Sequence, residues 1–406
     1  MQNQAHLLQS KRFLPLFIAQ FFGAFNDNAL RNGFIIWFLY DASRAGGLGA
    51  ASMAALAAGL FILPFFLFSA FAGKAADAFS KAVLVRRIKL AEIVLMLLFS
   101  GLFLWQNAYA MLVLIFLMGS QSAFFGPIKY SLLPEQLKPS ELLGGNGLIG
   151  GATFIAILLG TIFGGLVVGG GFGILFFPAT LIVFACIGWV ASWFIPVKPA
   201  GNEGLVIEKN IFVQTMKILR HAYGERKRAF TIIAISWFWL MGAVFLTQLP
   251  VFAKEILGAG EGVVVFFLTL FSVGIALGAL LCNVLLRGAV SKRLAPFGCV
   301  GMSVAIVLLF IFTHFVPALP LIGLSLLLLA VCAGIYVIPL YAMLQKSAPK
   351  AHIARIIAAN NIMNALFMVG ANMVGLVLFS LHFTSLDFML LLAICNPLLL
   401  LAIKKI

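Results

Sequence analysis

Hydrophobic residues in this chain form long runs, and short polar connections separate them. A helix needs about 20 mainly apolar residues to cross the hydrocarbon core of a bilayer. Runs of that length recur along the whole sequence, near residues 13–41, 49–73, 82–105, 108–127, 142–168, 171–196, 229–253, 260–286, 295–315, 318–341, 352–380 and 384–403. The pattern therefore predicts an all-α membrane protein with about twelve transmembrane helices.

The longest polar connection divides these spans into two sets of six. We expect an N-terminal six-helix bundle at 1–196, a cytoplasmic amphipathic linker at 197–228 and a C-terminal six-helix bundle at 229–406. The halves share a weak pattern, because the separation of Asn146 from Gly160 equals that of Asn361 from Gly375. Such self-similarity is typical of parallel six-span repeats. We therefore predict a 6+6 pseudo-repeat.

The linker contains the stretch NIFVQTMKILRHAYGERKR, which has helical periodicity. Phe212, Met216, Leu219 and Tyr223 share one face, basic residues occupy the rest, and Asn210 suits the N-cap. An apolar stripe beside positive charge is typical of a helix that lies at a membrane surface near anionic headgroups. A linker that only ties the two halves together is the alternative.

Composition and charge agree with a membrane environment. Hydrophobic residues make up 63% of the chain and charged residues 10%, against about 25% charged residues in soluble domains. Most Lys and Arg residues, with Lys129 counted in the connection after the fourth span, lie on one face of the predicted topology, whereas Arg44 and Lys254 lie on the other. The positive-inside rule then places both termini in the cytoplasm. Because the charges are dispersed over short connections, the net charge of +15 does not indicate a nucleic-acid partner.

The first span carries ionisable residues where lipid would be expected. Gln20, Asp27 and Arg31 share one helical face, and Asn28 lies on the adjoining stripe. Asp27 is about 22 Å along the helix from Arg12, which places it beyond the bilayer midplane. Charge at that depth costs a few kcal/mol or more unless it faces a bundle interior or a wet cavity. We expect this face to line a cavity; a self-contained Asp27–Arg31 pair that locks helix packing is the alternative.

Other spans also carry polar side chains at depth. The further candidates for substrate binding are Gln121, Asn146, Trp237, Gln248, Asn360 and Asn364. Each could instead form an interhelical hydrogen bond, worth roughly 1 kcal/mol. Glu92 is expected to pair locally with Lys89. Because the seventh span is aromatic and apolar apart from Thr247 and Gln248, the predicted cavity is polar on one side and apolar on the other, which suits an amphiphile.

The connection after the second span, GKAADAFSKAVLVRR, places an acid four residues after a glycine and basic residues beyond it. This pattern resembles the cytoplasmic signature of the major facilitator superfamily, although the family's glycine after the acid is absent. The resemblance implies that Gly73, Asp77, Lys81 and Arg87 form a gate. Glycine permits a tight exit from the span, and Asp77 would face the N-terminus of the eleventh span near His352. An ordinary basic connection is the alternative.

Three stretches look like the lysophospholipid transporter family of that superfamily: AQFFGAFNDNALRN, GKAADAFSKA and FFGPIKYSLLPEQLKPSELLGGNGLIGGATFIAILLGTIFGG. The opening KRFLPLFIAQFF is similar to the transport domain of larger bacterial proteins that also contain an acyltransferase and an acyl-ligase. The resemblance implies flipping of lysophosphatidylethanolamine or lysophosphatidylglycerol from the outer to the inner leaflet of a bacterial inner membrane by alternating access. Reacylation by such an enzyme would follow, and Asp27 falls on the family's acid in the first span. A basic residue of some relatives has no counterpart in Phe245–Gln248, which leaves the headgroup preference open.

Two other functions remain as alternatives. One is a major facilitator exporter of drugs or small amphiphilic metabolites. The other is an enzyme, because His382 and Asp387 in HFTSLD have acyltransferase spacing; they lie in a short turn without a soluble domain, so we expect no enzyme. No cysteine has metal-ligand or CxxC spacing, and we expect no cofactor, although a coupling cation at Asp27 stays open. We expect a monomer among membrane lipids.

Overall fold

The computed structural model describes residues 4–39, 50–169, 175–199 and 210–406. Within these ranges the chain is helical and contains no strand. Arg44, the facing ends of the first two predicted spans, the start of the sixth and residues 200–209 of the linker lie outside the described residues.

The α-helices follow one another with short connections. They are α1 (Leu14–Leu39), α2 (Ala50–Ala78), α3 (Lys81–Leu104), α4 (Ala108–Gln136), α5 (Leu142–Gly169), α6 (Phe176–Trp193), α7 (Ile211–Tyr223), α8 (Arg226–Val251), α9 (Glu261–Leu285), α10 (Ala295–His314), α11 (Leu319–Ser347), α12 (Ile353–Ser380), α13 (Ser385–Cys395) and α14 (Leu399–Lys405). A 3-10 turn joins α13 to α14, and the two together make the last crossing.

Eleven stretches of the described chain are long and apolar enough to cross a membrane. Helix α1, with Asp27 and Arg31, is not one of them. Its 26 residues nevertheless span about 39 Å, which is sufficient for a bilayer. With α1 included the structure has the twelve crossings that the sequence predicted, and the predicted all-α membrane fold is confirmed.

The first six helices pack on one another, as do α8 to α14, and the two sets meet mainly through α2 with α12, α5 with α9 and α11, and α4 with α12. Glycines permit this approach. A Cβ on Gly73 would lie 2.6 Å from Cβ of Ala358, and a Cβ on Gly147 would lie 2.7 Å from the carbonyl oxygen of Ala279. Gly73 does not form the tight exit that we expected, because α2 continues to Ala78; it lets α12 come close instead.

Helix α7 lies against both α2 and α12. Asn210 caps it, since its side chain accepts a hydrogen bond from the N–H of Val213 at 3.1 Å. The side that faces the bundle carries Gln214 and Ile218 among its buried residues. The predicted apolar stripe is divided, because Phe212 and Met216 are 72% and 66% exposed whereas Leu219 and Tyr223 lie partly buried against the core.

Candidate substrate-binding site and gate

Asp27 lies partly buried on α1 and is held by α4. Its Oδ2 accepts a hydrogen bond from Oγ of Ser122 at 2.5 Å. Its Oδ1 is shielded from solvent and has no hydrogen-bond partner among the described residues. A buried acceptor without a donor is costly, so this oxygen is a position that a donor or a cation on a ligand can fill.

Arg31 does not form an ion pair with Asp27 in the described part of the chain. Its Nη2 donates to Oδ1 of Asn28 at 3.1 Å, and its guanidinium carbon lies 5.4 Å from the ring centroid of Phe61 on α2. The self-contained pair that we considered is therefore not what the structure contains. Two opposite charges share this face of α1 without neutralising each other in a direct contact.

Lys129 is a third charge in this region, and the sequence analysis placed it wrongly. It lies inside α4 rather than in the connection after it, because α4 continues to Gln136. Its Nζ is 5.1 Å from the ring centroid of Tyr130, and it is close enough to Asp27 for their charges to interact. No carboxylate forms an ion pair with it within the described ranges. The available signal was spacing, since Lys129 lies two helical turns from Ser122 on the same face.

An ion pair is buried within the first six helices, behind this polar face. Lys89 and Glu92 on α3 are 0% and 1% exposed, and Nζ lies 2.6 Å from Oε2. The predicted local pair is confirmed. Asn26 donates to Oε1 of Glu92 at 3.1 Å, and Gln121 donates to Oε2 at 3.3 Å. Gln121, a candidate substrate contact, is thus buried inside the bundle and engaged there.

One hydroxyl connects this network to Asp27. Oγ of Ser122 lies 2.5 Å from Oδ2 of Asp27 and 3.2 Å from Oε1 of Gln121. A hydroxyl has one proton to donate, and the shorter contact indicates that Asp27 receives it. Gln121 and Ser122 therefore lie between Glu92 and Asp27, whose charges also act on each other directly.

A cavity lies between the two sets of helices. It is lined by Tyr130, Asn146, Gly150, Thr153, Phe154, Phe238, Trp239, Ile275, Val337, Ile338 and Tyr341. Gln20 is not part of this lining but contacts it, since its Oε1 accepts a hydrogen bond from the lining residue Thr153 at 3.0 Å. Trp237 does not line this cavity: its indole donates to Oδ1 of Asn396 at 2.9 Å, whereas that of Trp239 donates to the Tyr341 hydroxyl at 2.8 Å. The lining is mostly aromatic and apolar.

The asparagine stripe of α12 lies outside this lining. The amide of Asn360 is 3.5 Å from the Tyr341 hydroxyl, and the amide of Asn364 is 2.9 Å from the Ser236 hydroxyl. Both asparagines are buried and join helices to one another. Gln248 lies partly exposed near the end of α8, and its side chain has no hydrogen-bond partner in the part of the chain that the structure describes.

Asn146 lines the cavity and also ties the two helix sets together. Its Nδ2 donates to Oε1 of Gln345 at 2.7 Å, and Nε2 of Gln345 donates to Oδ1 of Asn146 at 3.1 Å and to the Tyr130 carbonyl at 3.0 Å. The rings of Tyr130 and Tyr341 stack with centroids 4.7 Å apart. These contacts close the cavity at the end that carries the α4–α5 connection.

Asp77 closes the same end beside α12. Its Oδ1 accepts a hydrogen bond from the N–H of Ala354 at 3.2 Å, and its Oδ2 accepts one from Nε of Arg355 at 2.7 Å. The side chain is thus at the N-terminus of the eleventh span, where the resemblance placed it, close to His352. A carboxylate at a helix N-terminus is electrostatically favourable.

Neither basic residue expected at this gate forms an ion pair with Asp77 among the described residues, although Lys81 lies close enough for its charge to act on Asp77. Lys81 forms an ion pair with Glu135 at 2.5 Å within the first set of helices. Arg87 is exposed and has no ion pair among the described residues. The partner of Asp77 is Arg355, which sequence reasoning missed because it considered only the basic residues that follow Asp77 along the chain.

The N-terminal segment is attached to this end as well. Oε1 of Glu141 accepts a hydrogen bond from Nη2 of Arg12 at 3.0 Å and lies 3.3 Å from Nε2 of His6. Burial opposes ionisation, but hydrogen bonds from the N–H of Lys138, from Arg12 and from His6 outweigh it and lower the pKa of Glu141 to about 2. The carboxylate is therefore charged throughout the physiological range.

The HFTSLD stretch has a structural role. Oδ2 of Asp387 accepts a hydrogen bond from the N–H of Thr384 at 2.8 Å, and the N–H of Asp387 donates to Oγ1 of Thr384 at 3.2 Å, which forms a capping box at the start of α13. Asp387 is thus occupied by its own helix terminus and does not orient His382. In the ranges described, no cluster of three or more His, Cys, Asp or Glu residues could hold a metal ion.

Solved structures of similar fold include transporters described as outward-facing. The chain matches the major facilitator transporter FucP "in the outward conformation" with a TM-score of 0.72 at 12% identity, over 97% of this chain and 99% of that one. It matches a bacterial homologue of the iron transporter ferroportin "in outward-facing state" with a TM-score of 0.68 at 16% identity, over 97% of each chain. At these identities the likeness concerns the fold alone.

Sequence comparison adds the family. The sequence model of the Major Facilitator Superfamily matches residues 16–372. The lysophospholipid transporter LplT of Salmonella typhi is 30% identical over 353 residues, which cover 84% of this chain and 81% of the relative. The protein of the same name from Klebsiella pneumoniae subsp. pneumoniae is 29% identical over 345 residues, with 84% and 81% covered. The chain therefore belongs to the Major Facilitator Superfamily and, within it, to the family of the LplT proteins.

Proposed function

We propose that this protein flips lysophospholipids across a bacterial inner membrane. Relatives that cover most of the chain carry the name lysophospholipid transporter. The observation that carries the proposal is the asymmetry of the site: Asp27, Arg31 and Lys129 present charge without direct ion pairs to one another, and the neighbouring cavity is mostly aromatic and apolar. A molecule with a charged head and one apolar tail matches both parts.

Different groups of the headgroup would bind protein side chains of opposite charge. Lys129 and Arg31 are suited to the phosphate, since ammonium and guanidinium groups bind phosphate oxygens. The open acceptor Oδ1 of Asp27 would take the ammonium of lysophosphatidylethanolamine, or a hydroxyl of the glycerol in lysophosphatidylglycerol. The acyl tail would lie against aromatic side chains such as Phe238 and Trp239. A coupling cation is a second possible occupant of Oδ1.

We further propose that both termini lie in the cytoplasm, because the basic connections lie on the side that carries them. The closed end with Asp77 and Asn146 would then be the cytoplasmic one, which supports an outward-facing conformation. In this state a lysolipid from the outer leaflet would reach the cleft with its headgroup first. Rocking of one helix set against the other would release it to the inner leaflet.

Opening of the cytoplasmic end requires two sets of contacts to separate. One is Asp77 with Arg355 and the N–H of Ala354, and the other is Asn146 with Gln345. Both sets of contacts join the first helix set to the second. They must therefore break when this end of the cleft opens and the other end closes. We propose that the released lysolipid is reacylated by an acyltransferase or acyl-ligase, and that the transporter acts as a monomer and not as an enzyme.

Flipping of labelled lysophosphatidylethanolamine in proteoliposomes tests the proposal. We expect flipping by the wild type and a loss of at least tenfold with Asp27→Ala. Ser100→Ala is the matched control and should flip lysolipid at the wild-type rate, because the Ser100 hydroxyl bonds to no described residue outside its own helix, where it donates to the carbonyl of Met96. No lysolipid movement with the wild type, together with transport of a soluble drug, would show a drug exporter instead.

A further inference from the structure

Helix α7 has two faces with different partners. One face packs on the cytoplasmic ends of α2 and α12 and buries Gln214, Thr215, Ile218 and Ala222. The other carries Phe212 and Met216, which are among the most exposed large apolar residues outside the membrane-crossing helices. Packing thus accounts for the position of α7 but leaves Phe212 and Met216 exposed, whereas Leu219 and Tyr223 of the same stripe lie partly buried against the core.

The packed face links α7 to both helix sets at the gate. Nζ of Lys74 on α2 donates to Oε1 of Gln214 at 3.3 Å. Nε2 of His221 lies 2.9 Å from Nδ1 of His352 at the start of α12, one turn from Arg355. Helix α7 therefore bridges the two sets only while the gate is closed, since its contacts with α2 and α12 need these helices to be adjacent.

The position of α7 along the chain fixes its height relative to the membrane. It ends at Tyr223, and the crossing helix α8 begins at Arg226. Because two residues separate the end of α7 from the start of α8, α7 must stay close to the level where α8 enters the bilayer. A helix at that level which exposes Phe212 and Met216 presents apolar area at the boundary of headgroups and acyl chains.

Charge next to the stripe identifies the surface that it fits. Arg220 is exposed on α7, and Arg226 and Lys227 are exposed directly after it. Cationic side chains beside an apolar stripe are attracted to anionic lipid, by about 1 kcal/mol for each Lys or Arg near the surface. An acidic protein would satisfy the charges but not the exposed Phe and Met side chains as well as a lipid surface does.

We propose that α7 docks on the anionic lipid surface of the inner leaflet and thereby holds the cytoplasmic gate closed. Lipid binds Phe212 and Met216, the opposite face of α7 packs on α2 and α12, and the bound lipid favours the conformation in which both faces keep their contacts. A ligand shifts such an equilibrium by its difference in affinity for the two states. Anionic lipid is therefore an activator of the outward-facing state, separate from the transported lysolipid.

A fluorescent label at Met216→Cys tests the docking, in a chain whose five native cysteines are replaced by alanine. In vesicles of phosphatidylcholine mixed with phosphatidylglycerol we expect emission shifted to the blue and shielding from an aqueous quencher, relative to phosphatidylcholine alone. The control is Ser140→Cys, an exposed position in the α4–α5 connection of the same face, which should show neither change. A label at Met216 that stays water-accessible in both vesicles, or that is shielded only when protein copies associate, would overturn the proposal.

Distances across the gate test its consequence without any transport assay. Spin labels at Ser140→Cys and Arg293→Cys, both exposed, report the separation of the two helix sets at this end. We expect short distances in vesicles with phosphatidylglycerol, and a shift toward longer distances when Phe212→Ser and Met216→Ser are combined. Because both substitutions are at exposed positions, folding should be preserved. Equal distance distributions for the two proteins would refute the coupling between lipid and gate.

Discussion

Asp27 and Lys129 differ in how far their sequence context identifies them. The place of Asp27 on the polar face of α1 follows from helical spacing and from the energetic cost of charge in hydrocarbon, and both can be read from sequence. Lys129 follows the same logic, but the predicted fourth span ended before it, whereas α4 continues to Gln136. Lys129 was therefore predicted to lie in the aqueous connection after this span. A boundary error of a few residues was enough to remove a cation from the predicted site.

Headgroup chemistry gives opposite roles to these two residues. Asp27→Asn should reduce flipping of lysophosphatidylethanolamine more than that of lysophosphatidylglycerol, because only the former has an ammonium group for the carboxylate. Lys129→Gln should reduce both to a similar degree, since both have a phosphate. Initial rates in proteoliposomes with each lipid measure the difference. Equal losses of the two lipids with Asp27→Asn would contradict the assignment of the carboxylate to the amine.

The buried pair of Lys89 and Glu92 makes a prediction about stability. Glu92→Gln leaves the ammonium of Lys89 buried without a counter-charge, which should cost about 3–5 kcal/mol of folding free energy. The combined change Lys89→Met and Glu92→Leu removes both charges and should lie much closer to the wild type. Thermal unfolding in one detergent compares the three proteins. A Glu92→Gln protein as stable as the wild type would show that the pair is not needed to neutralise Lys89.

At the scale of elements, the sequence predicted that α7 is an amphipathic helix but not which face packs. Periodicity marks the stripe of Phe212, Met216, Leu219 and Tyr223, and in a soluble protein that stripe would face the core. Here the buried face includes Gln214 and Thr215, because α7 meets polar helix ends with groups such as Lys74. The choice of face depends on tertiary neighbours, which periodicity does not contain.

The contact of α7 with α12 should depend on pH. Burial, followed by the charge of Arg355, lowers the pKa of both His221 and His352 below the ordinary value of about 6.5. The docked state then favours neutral rings, so its stability is complete above that value and is lost as the pH falls through the lowered pKa values. Protease cleavage near α7 should thus increase at acidic pH. His352→Gln should weaken this pH dependence, and an unchanged profile in that variant would argue against it.

Gly73 and Gly59 provide a matched comparison on one helix. Gly73→Ala places a Cβ 2.6 Å from Cβ of Ala358, whereas a Cβ at Gly59 meets nothing within 4 Å. The first change should therefore push α2 away from α12 and widen the cytoplasmic end, and Gly59→Ala should not. Spin labels at Ser140→Cys and Arg293→Cys, both exposed, measure the separation of the helix sets at this end. Equal distance distributions in the two variants would mean that Gly73 does not set the helix separation.

At the scale of the whole molecule, the sequence predicted the helix number well and the conformation not at all. Long apolar runs specify crossings because hydrocarbon excludes unpaired backbone groups. Which end of the cleft is closed depends on contacts such as Asp77 with Arg355 and Asn146 with Gln345. Alternative conformations of one sequence differ by only a few kcal/mol, so no local pattern reveals which is populated. The asparagines at Asn360 and Asn364 show the same limit, since spacing alone does not separate a cavity lining from a buried join between helices.

The central claim is that a lysolipid headgroup binds in the cleft beside α1 and α4. Photocrosslinking tests it most directly, with lysophosphatidylethanolamine that carries the reactive group next to its phosphate, followed by mapping of the modified peptides. We expect labelling of α1 around Asp27 and of α4 around Lys129, and loss of this labelling with an excess of unlabelled lysolipid. Labelling confined to exposed apolar positions on the outer surface of the helix bundle, such as Leu97 and Leu98 on α3, without competition by unlabelled lysolipid, would contradict this binding site.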